Sequence, residues 1–197
     1  MDFFFTIWRK LASIFGNIKL FPYPLWFQFG ARGYRIKGHH MRLVLAEMQP
    51  GDLLLRGYDQ YLASRLIGYW SHVAIVCSET EVIHAIGRGV VKDDILDFLK
   101  TDRVWILRPK LQGGDVPHVI KQAEEMLGRE YDPFFRFNDR RDLSCTELFA
   151  YAFHNFKEKL GIQGKVSKIF GEIIVPEDLP NFHGLVPTLK VDPKEQV

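Results

Sequence analysis

The sequence predicts an α+β domain, with helices packed on a mostly antiparallel sheet. Three observations predict it. Short apolar strands occur at "DLLL", "SHVAIVC", "EVIHAI" and "RVWILRP", and the middle two follow each other directly. Stripes at helical spacing come late, over 115–128 and again from 145. Strands and helices do not alternate regularly, which argues against a doubly wound parallel sheet.

The first 21 residues, "MDFFFTIWRKLASIFGNIKLF", place Phe4, Ile7, Trp8, Leu11, Ile14, Phe15 and Ile18 at helical spacing. Thr6, Arg9, Lys10, Ser13 and Asn17 fill the opposite face. Two readings stay open. The helix docks on the domain's own core or a second subunit, or it lies in a membrane interface. The basic residues follow the first apolar cluster, and no small-residue cleavage pattern appears, which argues against a secretory signal. No run of about 20 uncharged apolar residues occurs, which argues against a spanning helix. Pro22 and Pro24 break the pattern. The aromatic residues of "LFPYPLWFQFG" then need a surface to cover. Residues 31–45 are basic, with Arg32, Arg35, Lys37, Arg42, His39 and His40. They read as a linker, an edge strand or a phospholipid-facing patch. Residues 1–45 are therefore expected to form an extension, and residues 46–197 the compact domain.

In that domain Pro50-Gly51 marks a turn and Asp52 to Leu55 a strand. "YDQYLASRLIG" suits a short helix. Two strands follow, over 71–77 and 81–86, and Gly87 and Gly89 punctuate the next turn. "DDILDFLK" begins with acidic residues, as a helix dipole favours. "RVWILRP" is a strand. "DVPHVIKQAEEMLG" has Pro117 in its first turn and Gly128 at its end, the ordinary signs of a helix start and stop. "IIVPEDLP" reads as a late loop.

The 197 residues suffice for one such domain plus an extension. With 26 basic and 24 acidic residues the net charge is +2, too small to indicate a nucleic-acid partner. Cys77 and Cys145 are the only cysteines. They form no C-x-x-C pair, so neither a zinc site of the usual spacing nor a disulfide scaffold is indicated. A reducing compartment fits better, which points to the cytoplasm or the inner face of a membrane.

"LSCTELFAYAF" carries the chemistry. Ser144 and Glu147 match the capping-box spacing ahead of an apolar run, so Cys145 becomes the first residue inside the helix. Unpaired backbone N–H groups there favour a thiolate, lower its pKa and can hold an oxyanion. Cys145 also shares a face with Leu148, Phe149, Ala152 and Phe156, so packing alone remains an alternative. A nucleophile needs a base. His154 lies about 13 Å along the same helix and cannot reach. His39, His40, His118 and His183 fall in segments that read as exposed. His72 opens a strand with Ala74 and Val76 on its face, which suggests that the Cys145 helix covers that face. His84 lies on the next strand. A loop of odd length between them, Cys77 to Glu79, would put both rings on one face with His72 opposite His84. The same alternation puts Cys77 on the other face, as a structural residue.

Taken in order, "GDLLLRG", "YWSHVAIV", "VIHA", "YDPFF" and "LSCTELFAYAF" resemble the circularly permuted NlpC-type papain-like hydrolases, the YiiX/YebB-like branch. His72 precedes Cys145, which is the permuted order. The resemblance spans about residues 48 to 180 and implies a permuted papain-like α+β fold. In that fold an antiparallel sheet or barrel packs against a helix bearing the cysteine at its N-terminus. It also implies a Cys145 nucleophile, a His72 base and a third polar residue at His84. Tyr131 matches a tyrosine near the site in such enzymes, with a packing role equally open. The gap from His72 to His84 is similar to that of the more distant lecithin:retinol acyltransferase-like relatives, which act on lipids.

The expected activity is a cysteine hydrolase or acyltransferase working through an acyl-enzyme, with no metal or cofactor. The aromatic N-terminus favours an acylated lipid, with peripheral membrane contact through residues 1–30. A cell-wall peptide is the alternative substrate, and a non-catalytic lipid-binding module on the same fold is the alternative class.

Overall fold

Four apolar strands pack against helices on both faces of one sheet, and that sheet sets the geometry of everything else. The computed structural model describes residues 19–22, 25–28, 33–59, 68–133, 141–167 and 171–195. The amphipathic pattern over residues 1–18 and most of the helix expected at 58–68 lie outside the described residues.

A small hairpin, β1 (Lys19–Pro22) and β2 (Leu25–Gln28), comes first. It is followed by α1 (Gly38–Glu47), β3 (Leu53–Gly57), β4 (His72–Val76), β5 (Glu81–Ile86) and β6 (Gly89–Asp94). The short helix α2 (Ile95–Phe98), β7 (Arg103–Pro109), α3 (Asp115–Glu124) and α4 (Cys145–Ala152) come next. The chain ends with α5 (Lys157–Leu160), the hairpin β8 (Lys165–Ser167) and β9 (Gly171–Ile173), and β10 (Leu185–Val191). The central sheet has six strands in the order β10-β7-β3-β4-β5-β6, every neighbour antiparallel. This is the α+β architecture expected.

Both faces of the sheet are covered, which is why β3 and β4 read as continuous apolar runs. On one face Leu53, Leu55, Val73, Ile75, Ile83 and Ala85 pack against Val119 and Ala123 of α3 and Leu148 and Phe149 of α4. On the other, Leu54, Ala74, Val76, Val82 and Ile106 pack against Val44 of α1 and Ile95 and Phe98 of α2. Each of the Val, Leu, Ile and Phe side chains among them contributes on the order of 2 kcal/mol on burial, and each Ala less.

Several elements differ from expectation. The basic stretch before residue 46 contains a helix, α1, whose Val44 lies in the core beside Ile36. Helical spacing there was masked by the run of charge. "GVVKDD" is strand β6, paired with β5 across a tight turn at Gly87-Arg88. The helix expected from Asp93 starts only at Ile95, with Asp94 as its cap accepting from the Leu96 N–H at 2.7 Å. Strand β10 went unread because its inward residues are few.

Candidate active site

Cys145 opens α4 as the capping box requires. Ser144 Oγ accepts from the Glu147 N–H at 3.3 Å, and Glu147 Oε2 accepts from the Ser144 N–H at 2.7 Å. This reciprocal pair fixes the first turn. The thiol is buried, and the backbone N–H groups of Val73, Thr146 and Cys145 itself favour its ionised form. Val73 can serve in this way because β4 and β5 stay paired only at Ile75–Ile83 and Val76–Val82. Beyond Ile75 the two strands no longer form a ladder, and the start of α4 packs where they part.

His72 and His84 come together on one face. The hairpin register pairs Val76 with Val82, which makes the loop odd in length, as the shared face demands. It is two residues longer than the loop from Cys77 to Glu79, so continuing the register sets His84 opposite Ala74, diagonal to His72. The rings still meet: His72 Nε2 and His84 Nδ1 are 2.9 Å apart. Phe98 of α2 lies against both rings, at 5.9 and 5.5 Å between centroids.

That face is not the one α4 covers. Ala74 and Val76 pack under α1 and α2, while Cys145 belongs with Val73 and Ile75 on the opposite side. The expected covering of the His72 face by the Cys145 helix is therefore corrected. Small residues reported that the face was covered, and not by which helix. In this state no hydrogen bond joins the Cys145 thiol to His72 among the described residues. Cys77 is half-buried, donates to the Glu81 carbonyl at 3.2 Å, and lies away from the histidines.

Two site residues escaped sequence reading. Asp93, at the end of β6, accepts from His84 Nε2 at 3.0 Å and from Arg88 through its other oxygen. Asp93 pairs with Val82 in the ladder, which puts it on His84's face. Reading "IGRG" as a two-residue hairpin turn would have found it. Arg56 stands directly opposite His72 in the β3–β4 register. Its guanidinium lies 4.3 Å over the Phe98 ring and donates to the Phe98 carbonyl at 3.1 Å.

The carboxylate orders the protons. Asp93 only accepts, so His84 carries its proton on Nε2 and has a lone pair on Nδ1. His72 then donates from Nε2, which leaves Nδ1 as its lone pair. Burial, followed by the charge of Arg56, holds both histidines low, His84 at about 4 and His72 well below its usual value. Both are neutral at physiological pH. The thiol departs from expectation. Burial pushes Cys145 up to about 11, and the Val73 N–H, the Arg56 charge and the helix start only partly offset it. Burial raises the Tyr131 pKa first of all, and the nearby Cys145 charge raises it further. Glu147 is raised to about 7 by burial, despite the Ser144 hydrogen bonds.

Residues 47–189 match the model of the permuted papain-like amidase enzymes, the YaeF/YiiX, C92 family. The chain belongs to this family. It is accordingly an enzyme of the papain-like cysteine amidase class, with the permuted fold expected. A crystal structure of yiiX from Escherichia coli O157:H7 is similar in fold, with TM-score 0.60 and 16% identity. The match covers 75% of this chain and 99% of that one. No curated protein matches the chain. The yiiX structure is described as that of a metalloprotein. Among the described residues of this amidase, no three His, Cys, Asp or Glu side chains are grouped to hold a metal ion. No helix among the described residues is long and apolar enough to cross a membrane.

Proposed function

We propose that the chain hydrolyses an amide bond through a thioester on Cys145, with His72 as base and acid. The observation that carries this reading is the Asp93–His84–His72 relay, which ends on an unprotonated ring nitrogen of His72. His72 opens β4 next to Val73, whose backbone N–H acts on the sulfur, and on this reading its Nδ1 reaches round the start of the strand to take the thiol proton as Sγ bonds to the carbonyl carbon. The carbonyl oxygen gathers negative charge beside the N–H groups at the start of α4. The C–N bond then breaks as His72 returns the proton to the amine. Water, losing a proton to His72, cleaves the thioester and regenerates the thiol. His84 and Asp93 hold the His72 tautomer and do not touch substrate.

The test is alkylation of Cys145 by iodoacetamide near neutral pH, read by intact mass, with Cys145→Ala and His72→Ala alongside. His72→Ala should slow labelling by about 100-fold or more, the usual worth of a positioned base. Labelling that does not change on loss of His72 would overturn the reading in favour of a non-catalytic module.

The substrate is an amide, and a peptide amide is the plainest case. A lipid amide or ester is the second reading, supported by the aromatic amphipathic pattern of residues 1–30. On that reading the extension holds the domain against the inner face of a membrane. Liposome flotation with and without residues 1–30 tests it, and equal flotation removes the anchor.

A further inference from the structure

We propose that Arg56 is the recognition point for an anionic group, carboxylate-sized, carried by the substrate next to the amide that is cut. This rests on Cys145 being the nucleophile. Buried Arg103 and half-buried Arg108 each have a carboxylate partner, Asp59 and Asp52 respectively. Arg56 has none among the described residues. Its partners are the Phe98 carbonyl and the faces of Phe98 and Tyr58. Its Nε is wholly buried and unbonded.

A buried donor without an acceptor lowers stability, so the chain keeps this one at a cost. The guanidinium is also immobilised. Phe98 supports its plane, and the Phe98 carbonyl holds one of its two terminal nitrogens. A fixed planar fork with open donors is the group that matches a carboxylate through two hydrogen bonds.

Its place decides what such an anion would be. Arg56 is cross-strand from His72, and its charge is felt by His72, His84 and the Cys145 thiol. An anion seated on it therefore lies beside His72, the base of the proposed reaction. The substrate class follows: amides bearing a free carboxylate close to the scissile carbonyl, as in a peptide cut near its C-terminus. Because both histidines are neutral near pH 8, Arg56 is the cation that such a group meets there.

Iodoacetate and iodoacetamide differ only in the carboxylate, and both alkylate a cysteine thiol. The ratio of their rates on Cys145, divided by the same ratio on glutathione at pH near 8, measures the preference. The wild type should show an excess of about 10-fold or more, the scale of one charge-assisted contact. Arg56→Met should bring the excess to about one, and Arg56→Lys should retain part of it. Should the Met variant fail to fold, the wild-type ratio and the Lys variant decide the matter. Rapid labelling with no carboxylate preference, or a preference that persists in Arg56→Met, overturns the anion site and leaves the thiol chemistry standing. Labelling by both reagents that ignores His72 overturns the thiol chemistry, and the anion site with it.

Discussion

Replacing Asp93 with asparagine tests the relay where its proton order is set. The carboxylate accepts from His84 on one oxygen and from Arg88 on the other. Asparagine has nearly the same shape but one donating end. Arg88 still presents N–H groups, so the new amide turns its carbonyl to Arg88 and its NH2 to His84 Nε2. Every proton in the relay then reverses, and His72 offers an N–H at Nδ1 where it formerly had a lone pair. To restore the competent order, the amide must turn its NH2 against the guanidinium. That gives up one charge-assisted hydrogen bond, about 1.5–3 kcal/mol. The rate of Cys145 alkylation by iodoacetamide should therefore fall by about 10- to 100-fold near neutral pH. The Arg88 side chain is 62% exposed, so Arg88→Met can be added without opening the core. The double variant frees the amide to turn and should recover most of the loss, while a merely structural defect would not be rescued. An Asp93→Asn rate within about threefold of wild type is smaller than one such bond allows and would refute the tautomer argument.

His84, held down to about 4 against an ordinary 6.5 mainly by burial, makes the fold acid-sensitive. Between those values the unfolded state binds the extra proton, so its contribution is complete above 6.5 and is lost as pH falls toward 4. The loss is about 3 kcal/mol, and urea midpoints of wild type and His84→Gln across that window check it, equal slopes counting against it. Glu147, raised to about 7 from 4.5, acts in the opposite sense. Its protonated form favours the fold below 4.5, and that advantage disappears as pH rises through 7. Glu147→Gln should therefore be near neutral at acid pH and more stable than wild type by up to about 3 kcal/mol above neutrality. A pH-independent difference would refute this. Phe149→Ala removes a fully buried ring between α4 and the sheet, and chemical denaturation should show a cost of about 3–5 kcal/mol. A loss below about 1 kcal/mol would mean that α4 is not packed as described.

Local signals carried most of what was legible in the sequence. β5 and β7 occupy the residues expected, because apolar runs bounded by turns leave few alternatives. The capping box at Ser144 and Glu147 is likewise a short-range pattern. The shared face of His72 and His84 was readable because strand parity survives a change in loop length, provided that the loop stays odd. What failed was non-local. Which helix covers which face is decided by crossovers that no short window records, so α4 was placed on the wrong side of β4. Asp93 was assigned to a helix by its charge, although a strand partner across a tight turn claimed it. Arg56 was overlooked because the third strand was ended at Leu55, one residue short of the position opposite His72.

The helix-start argument for Cys145 was correct in sign and too small in size. Three N–H groups and the Arg56 charge do favour the thiolate, yet burial outweighs them and leaves the thiol at about 11. Acting alone, such a thiol would be ionised about 300-fold less than a free one at about 8.5. On the proposed mechanism Cys145 does not rely on a standing thiolate, and its reactivity comes from transfer to His72 as the carbon–sulfur bond forms. The relay then has a larger task than orienting a ring, because it must keep a lone pair on Nδ1 at every moment before attack. This also fixes the shape of the pH profile. A thiol titrating by itself would make alkylation rise tenfold per pH unit toward 11. A base already neutral below 6.5 gives an acid limb set by His72 and a plateau through neutral pH. His72→Ala should convert the second profile into the first, and that change separates a base from a bystander more sharply than any single rate.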